Sequence, residues 1–140
     1  MVKEGFTTML GDQIGEETGK VIGFRVLDAA GPKVEVSFQA AGKILGKDYR
    51  GRASYCSEMQ PGGFLYGEGQ GMYITSDGGM AVWKGQGAGK IKPGGGASYR
   101  GAIYFLSAQG SLAKLAGMTG VFEHDTDGQD NVVSKLWEWK

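Results

Sequence analysis

The chain has 140 residues, enough for one domain with a substantial core, and its 15 basic and 15 acidic residues leave a formal charge of zero. This balance excludes the basic surface that binds nucleic acid or acidic lipid, so neither partner is expected. A single cysteine and a single histidine exclude an internal disulfide and a Cys- or His-rich metal site, and no metal or cofactor is expected. No apolar run reaches the length of a signal-peptide core or a membrane helix, which predicts a soluble cytoplasmic protein.

Turn-forming residues recur along the chain at intervals typical of an all-β meander. They bound eight predicted strands, at residues 19–28, 33–45, 48–59, 64–75, 80–91, 97–107, 111–124 and 132–139. Residues 1–18 are predicted to be a loop or short helix that precedes a barrel domain of residues 19–140. Eight antiparallel strands in chain order close most economically into a single up-and-down β-barrel, because closure removes unpaired strand edges.

Glycine contributes 27 residues, and its densest runs, at 67–71 and 85–89, place it at every second position. Glycines at this spacing clear one face of a strand, which permits sharp coiling or leaves space inside a small barrel. A turn at 76–78 would place Gly69 opposite Gly85 and Gly71 opposite Trp83. The sequence therefore predicts an internal face of glycines and aromatic rings, and suggests a cavity.

The pattern of residues 33–40, in which Val36 and Phe38 alternate with polar residues, identifies the internal face. Continuing this alternation around the barrel predicts a set of lumen residues that would contact a ligand: Tyr55, Tyr73, Trp83, Tyr99, Phe105, Thr119, Lys135 and Trp137. The aromatic rings would either stack a flat or unsaturated molecule or fill the lumen themselves.

Glu123 is the candidate catalytic residue, because a carboxylate on an apolar barrel wall has a raised pKa and can act as a general acid or base. The alternative is that it neutralises Lys135 near the barrel mouth. His124 is interpreted as a solvated turn residue, and Cys56 as a packed or interface thiol on the outer face, not a nucleophile. The glycine runs lack the helix and the Lys-Ser/Thr pair of a nucleotide-binding loop, so that function is excluded.

Several motifs of the second half are characteristic of a known group. They are Gly67-x-Gly69-x-Gly71, Trp83-x-Gly85-x-Gly87-x-Gly89, Tyr99-Arg100-Gly101-x-Ile103-x-Phe105, Leu112-x-x-Leu115-x-Gly117-x-x-Gly120-Val121-Phe122-Glu123 and Lys135-Leu136-Trp137-Glu138-Trp139. Through them, residues 19–140 resemble bacterial proteins of the allene oxide cyclase-like barrel group. The resemblance implies a calycin-like, eight-stranded antiparallel barrel with a lumen open at one end, often in oligomers. Plant members of the group isomerise an unsaturated fatty-acid epoxide, but no residue here matches a motif for their catalytic glutamate.

Three functions are compatible with these features. The first is binding of an apolar or amphipathic small molecule in an aromatic-lined lumen. We favour it because the sequence contains no recognisable set of acid–base or nucleophilic catalytic residues. The second is a cofactor-free isomerase or cyclase acting on an unsaturated lipid-like or polyketide-like substrate. The third is an oligomer-forming structural module with a filled lumen.

Bulky apolar residues on the predicted outer face indicate a homo-oligomer, a dimer or trimer. The residues of this predicted patch are Tyr66, Met72, Ile74, Tyr104, Leu106 and Phe122. The alternative is that residues 1–14 fold back and cover the patch.

Overall fold

The computed structural model describes residues 10–140 and is a closed barrel of eight antiparallel strands in chain order. The strands are β1 (Leu10–Asp28), β2 (Lys33–Ile44), β3 (Lys47–Met59), β4 (Leu65–Thr75), β5 (Met80–Ile91), β6 (Ala97–Gln109), β7 (Thr119–Thr126) and β8 (Asn131–Trp139). A 3₁₀ helix, Gly110–Leu115, lies between β6 and β7. Because β1 pairs with both β2 and β8, the sheet closes on itself, and the predicted all-β barrel is confirmed.

The first strand is longer than the turn signals predicted. It begins at Leu10, so residues 10–18, expected to form a loop or short helix, belong to the barrel. Residues 1–9 lie outside the described residues, and with them most of the segment expected to cover the outer patch. Within residues 10–140, no helix is long and apolar enough to cross a membrane.

The two glycine runs pair with each other across β4 and β5 in the predicted register. Gly69 lies opposite Gly85, and Gly71 lies opposite Trp83. A close backbone approach explains one further glycine, because a Cβ at Gly101 would lie 2.0 Å from the carbonyl oxygen of Gln86. Any side chain at position 101 would therefore force β5 and β6 apart.

The internal face differs from the prediction in β7 and β8. Residues 111–124 were expected to form one strand, but their first part is the 3₁₀ helix, and β7 begins only at Thr119. The helix changes the number of residues between β6 and β7, so the even-numbered residues of β7 and β8 point inward. Phe122, predicted on the outer face, therefore faces the lumen, as does Leu136.

An apolar cluster closes one end of the barrel, where the 3₁₀ helix packs beneath β5 and β6. Its buried members are Ile14, Ile44, Tyr49, Tyr73, Ala81, Ile103, Phe105, Leu112, Leu115 and Leu136. The helix forms because Leu112 and Leu115, three residues apart on one of its faces, both point into this cluster. Ser111 donates a hydrogen bond of 2.7 Å to Asp77, which ties the helix to the β4–β5 turn.

Candidate functional site

The barrel lumen contains a cavity of about 90 Å³ next to the apolar cluster. The aromatic residues that line it are Phe38, Tyr49, Tyr55, Tyr73, Trp83, Tyr99 and Phe122. Glycines of the two runs on β4 and β5 form another part of its wall. The cavity is therefore bounded mainly by ring faces and bare backbone, with few polar groups.

Three of those polar groups lie side by side because of the strand register. Ser134 of β8 is paired with Glu17 of β1 on one side and with His124 of β7 on the other. All three residues line the cavity. Residues directly opposite each other in antiparallel strands have Cβ atoms about 4.5–5.5 Å apart. Closure of the barrel thus places a carboxyl, a hydroxyl and an imidazole in one row.

His124 is the most buried member of the row, at 7% exposure. Its Nδ1 lies 2.7 Å from the Ser134 hydroxyl, and its ring packs against Phe38 with centroids 5.0 Å apart. Burial lowers the pKa of His124 to about 4, so the ring is neutral at pH 7. Among the described residues, its Nε2 has no hydrogen-bond partner. This unpaired nitrogen belongs to a side chain that lines the cavity.

Glu17, at the other end of the row, is held by a tyrosine from a non-adjacent strand. The Tyr49 hydroxyl donates a hydrogen bond of 2.5 Å to Glu17 Oε1. It reaches past β2, where the residue between the two strands is Gly42 and has no side chain. Burial raises the pKa of Glu17, and the Tyr49 and Ser134 hydroxyls partly offset this by lowering it. The carboxyl therefore keeps its proton to a higher pH than an exposed glutamate does.

A second hydroxyl pair lies elsewhere on the lumen wall. The hydroxyls of Ser57 and Tyr99 are 2.5 Å apart. Tyr55 packs edge-on against both Tyr99 and His124, with centroids 5.6 Å apart in each case. Burial raises the pKa of Tyr55 and of Tyr99, so both are neutral phenols at physiological pH. In the part of the chain that the structure describes, no cluster of His, Cys, Asp and Glu could hold a metal ion.

Half of the predicted ligand-binding residues line the cavity with inward side chains: Tyr55, Tyr73, Trp83 and Tyr99. Phe105 points inward as predicted but lies in the apolar cluster at the closed end. The inward orientation predicted for Thr119 and Trp137 is wrong, because Thr119 pairs with the exposed Tyr104 and Trp137 pairs with Val121 on the alternate face.

Glu123 and Lys135 were also predicted to face the lumen, and this orientation is wrong for the same reason. They pair directly with each other across β7 and β8, on the outer face. The Glu123 carboxylate lies 3.8 Å from Arg100, and its side chain is 46% exposed. Lys135 is among the residues that border the cavity, but its side chain is exposed. Their positions on adjacent strands allow the ion pair that was the alternative to a catalytic role. A role in the lumen would require both side chains to point inward.

Sequence reasoning missed the row of Glu17, Ser134 and His124. Glu17 lies in a segment that was not assigned to the barrel, and His124 was interpreted as a turn residue. One signal was available for His124, because Phe122, His124 and Thr126 alternate with charged residues in the same way as the inward residues of β2.

No family model matches the chain, and no curated protein matches it. Two solved structures have a similar barrel. One is a conserved protein of unknown function from Rhodopseudomonas palustris, with 14% sequence identity and a TM-score of 0.73, covering 92% of this chain and 96% of its own. The other is a protein of unknown function from Clostridium acetobutylicum ATCC 824, with 12% identity and a TM-score of 0.66, covering 92% of this chain and 98% of its own. At these identities the similarity shows the fold alone.

Proposed function

We propose that the protein binds a small, mainly apolar molecule with one polar group inside the barrel. The observation that carries this proposal is the buried Nε2 of His124, which lacks a partner among the described residues beside a cavity of aromatic rings. A buried polar atom without a hydrogen bond costs about 1–3 kcal/mol, so a molecule that supplies the missing bond recovers that free energy. The surrounding rings would stack against a flat or unsaturated body.

The cavity volume limits the size of the ligand. At about 90 Å³ it is smaller than an apolar cavity of about 150 Å³ that accommodates benzene. Even a single six-membered ring would therefore require small movements of the lumen side chains, and a longer lipid-like or polyketide-like molecule would require the lumen to widen much further.

The same volume supports a second candidate, a structural barrel whose side chains fill its own lumen. Ligand pockets are commonly about 300 Å³ or larger. In this case Nε2 would be satisfied by a trapped water molecule, and the exposed outer residues would carry the function through self-association.

Two probes that differ by a single hydroxyl, benzene and phenol, separate these candidates. His124 is the chain's only histidine, so selective ¹⁵N labelling of histidine gives the spectrum of one ring. We expect phenol to bind more tightly than benzene and to shift the Nε2 resonance, because its hydroxyl bonds to that atom. His124→Phe should remove this preference, whereas Glu123→Gln, on the outer face, should keep it. If neither probe binds, and native mass spectrometry of the purified protein shows no retained molecule, the structural candidate is supported instead.

We also propose that the chain forms a homo-oligomer, a dimer or trimer, through apolar residues of the outer surface. Ile74, Tyr104 and Leu106 are exposed on β4 and β6, although Phe122 of the predicted patch points inward. Leu106→Lys should dissociate the assembly in light scattering. A wild-type chain that is monomeric at tens of micromolar concentration contradicts this proposal and leaves the lumen proposal unaffected.

A further inference from the structure

We propose that Glu17, Ser134 and His124 form a proton relay that isomerises a small β,γ-unsaturated ketone by moving a proton from its α-carbon to its γ-carbon. This inference rests on the proposed binding of a small molecule in the lumen. His124 would be the catalytic residue, because its Nε2 is the group of the row without a protein partner. Ser134 and Glu17 would act through it.

The strand pairing places the three groups of the relay side by side. Ser134 lies between the other two residues in the register, and its hydroxyl is 2.7 Å from His124 Nδ1. The same hydroxyl interacts with the Glu17 carboxyl, whose pKa it lowers. A serine hydroxyl has one proton to donate and two lone pairs to accept with, so it can bond to both neighbours at once.

The protonation state of Glu17 then determines which histidine nitrogen carries the proton. If Glu17 is ionised, Ser134 donates to the carboxylate and accepts from Nδ1–H, which leaves a lone pair on Nε2. If Glu17 is protonated, it donates to Ser134, Ser134 donates to Nδ1, and Nε2 carries the proton. The imidazole is neutral in both states, which agrees with the lowered pKa that burial gives His124.

Enolisation of a ketone uses the first state and ends in the second. The Nε2 lone pair takes the proton from the carbon next to the carbonyl, and the C–H electron pair becomes a carbon–carbon double bond while the carbonyl π pair moves to oxygen. Nδ1–H passes its proton to Ser134, and Ser134 passes its own to the Glu17 carboxylate. In a β,γ-unsaturated ketone the negative charge thus moves from Glu17 to the oxygen of a conjugated dienolate. Return of the proton from Nε2 to the γ-carbon re-forms the carbonyl and leaves a carbon–carbon double bond between the α- and β-carbons, without an oxidant, reductant or cofactor.

Other lumen residues stabilise the negative charge at both ends of the relay, on the substrate oxygen and on the Glu17 carboxylate. Tyr55 lines the cavity next to His124, and as a neutral phenol it can donate a hydrogen bond to the enolate oxygen. Tyr49 donates to Glu17 and favours its ionised form, which counteracts the effect of burial. The carboxyl can therefore serve as the proton acceptor at the end of the relay.

The first test observes the relay without a ligand, through the ¹⁵N spectrum of the single histidine between pH 5 and 9. The groups that face the row are Tyr49 and Tyr73 beside Glu17, and Tyr55 and Tyr99 beside His124, with Asp125 next to His124 on its own strand. Burial raises the pKa of all four tyrosines and Asp125 has a lowered pKa, so Glu17 is the one of these groups whose pKa is shifted towards this range. We expect the neutral ring to change from the Nε2–H to the Nδ1–H tautomer as pH rises.

Ser134→Ala should abolish this change of tautomer, because it removes the connecting hydroxyl. Ser57→Ala is the matched control, since it removes another buried lumen hydroxyl, one that bonds to Tyr99 and not to the row. A wild-type ring whose tautomer does not depend on pH overturns the relay, whatever the protein binds.

The second test measures exchange of the α-protons of cyclopentanone in D₂O by ¹H NMR, with binding followed by saturation transfer. We expect the wild-type protein to accelerate exchange over buffer, and Ser134→Ala and Glu17→Gln to lose about 100-fold or more of that rate while still binding. Ser57→Ala should stay within about twofold of wild type. Bound cyclopentanone with no accelerated exchange overturns the relay and leaves the proposed binding function intact. Absence of binding by cyclopentanone, benzene and phenol contradicts both.

Discussion

The closed end of the barrel and the middle of its lumen belong to one closed sheet but have opposite chemistry. The closed end packs fully buried apolar side chains from β2, β6 and the 3₁₀ helix: Ile44, Phe105, Leu112 and Leu115. The cavity beside this cluster instead receives a carboxyl from β1, an imidazole from β7 and a hydroxyl from β8. None of the four apolar side chains at the closed end can form a hydrogen bond. The polar row, in contrast, contains His124 Nε2, a buried nitrogen without a hydrogen-bond partner among the described residues.

The difference indicates how a small barrel can tolerate a polar interior. Burying one large apolar side chain contributes about 1.5–3 kcal/mol, whereas an unpaired buried polar atom costs about 1–3 kcal/mol. A few tightly packed residues at the closed end therefore offset the cost of the polar row. The apolar end would stabilise the fold, while the middle of the lumen would remain free to bind and react.

Phe105→Ala should cause the largest loss of stability, about 3–5 kcal/mol, because it removes a ring that is 1% exposed and leaves a cavity. Urea unfolding measures this loss. Ile91, at the end of β5, is 62% exposed and lies outside the proposed oligomer patch, so Ile91→Ala should cost less than about 1 kcal/mol. Equal losses in the two variants would mean that the closed end does not carry the stability of the barrel.

Acidification should destabilise the protein through His124. Its pKa is about 4 in the folded protein, whereas an unperturbed histidine, as in the unfolded chain, has a pKa of 6.5. Between these two pH values the unfolded chain therefore binds more protons than the folded protein. Stability therefore falls as pH decreases from 6.5 to 4, by up to ~3 kcal/mol.

Glu17 has the opposite effect, since its raised pKa makes the folded state bind more protons above pH 4.5. Unfolding of wild type and of His124→Gln across this pH range separates the two contributions. The variant should lose the acid-dependent destabilisation and become more stable as pH falls towards 4.5. Parallel pH profiles of wild type and variant would show that His124 is not buried as a neutral ring.

Tyr49→Phe should have a smaller effect, about 1–2 kcal/mol, because it removes one hydrogen bond and leaves the ring packing in place. The pKa of Glu17 should rise further, since the Tyr49 hydroxyl lowers it in the native protein. Urea unfolding and carboxyl ¹³C NMR of Glu17 measure the two effects. Tyr55→Phe is the control, and an equal change of the Glu17 pKa in that variant would argue against the Tyr49 contact.

Most of the barrel could be predicted from the sequence because short turns connect β2 to β6. A short turn fixes the register of its two strands, so the alternation identified in β2 continues correctly through Gly69 and Gly85 to Tyr99. The alternation fails where a longer connection intervenes. Leu112 and Leu115 were interpreted as strand residues, although their spacing of three is that of one helical face.

The polar row could not be predicted by the same reasoning. Glu17 meets Ser134 only because β1 and β8 pair when the barrel closes, and no turn links those strands. Their register depends on the stagger of the whole sheet, which a sequence pattern does not specify. The prediction for His124 was wrong for a local reason. The 3₁₀ helix before β7 shifts the alternation by one residue, so His124 points into the lumen and Glu123 points outward.

This shift makes Glu123→Gln the smallest of the expected effects and the most direct test of the orientation of β7. Glu123 is half-exposed beside Arg100 and opposite Lys135, and exposed ion pairs contribute about 0.2–1 kcal/mol. We therefore expect little change in urea unfolding and no change in phenol binding or in the tautomer of His124. Glu17→Gln, the same substitution on the inner face, should alter the His124 spectrum, because it removes the carboxyl at the end of the row. If Glu123→Gln rather than Glu17→Gln disturbs His124, the odd-numbered residues of β7 face the lumen, and the relay is wrong.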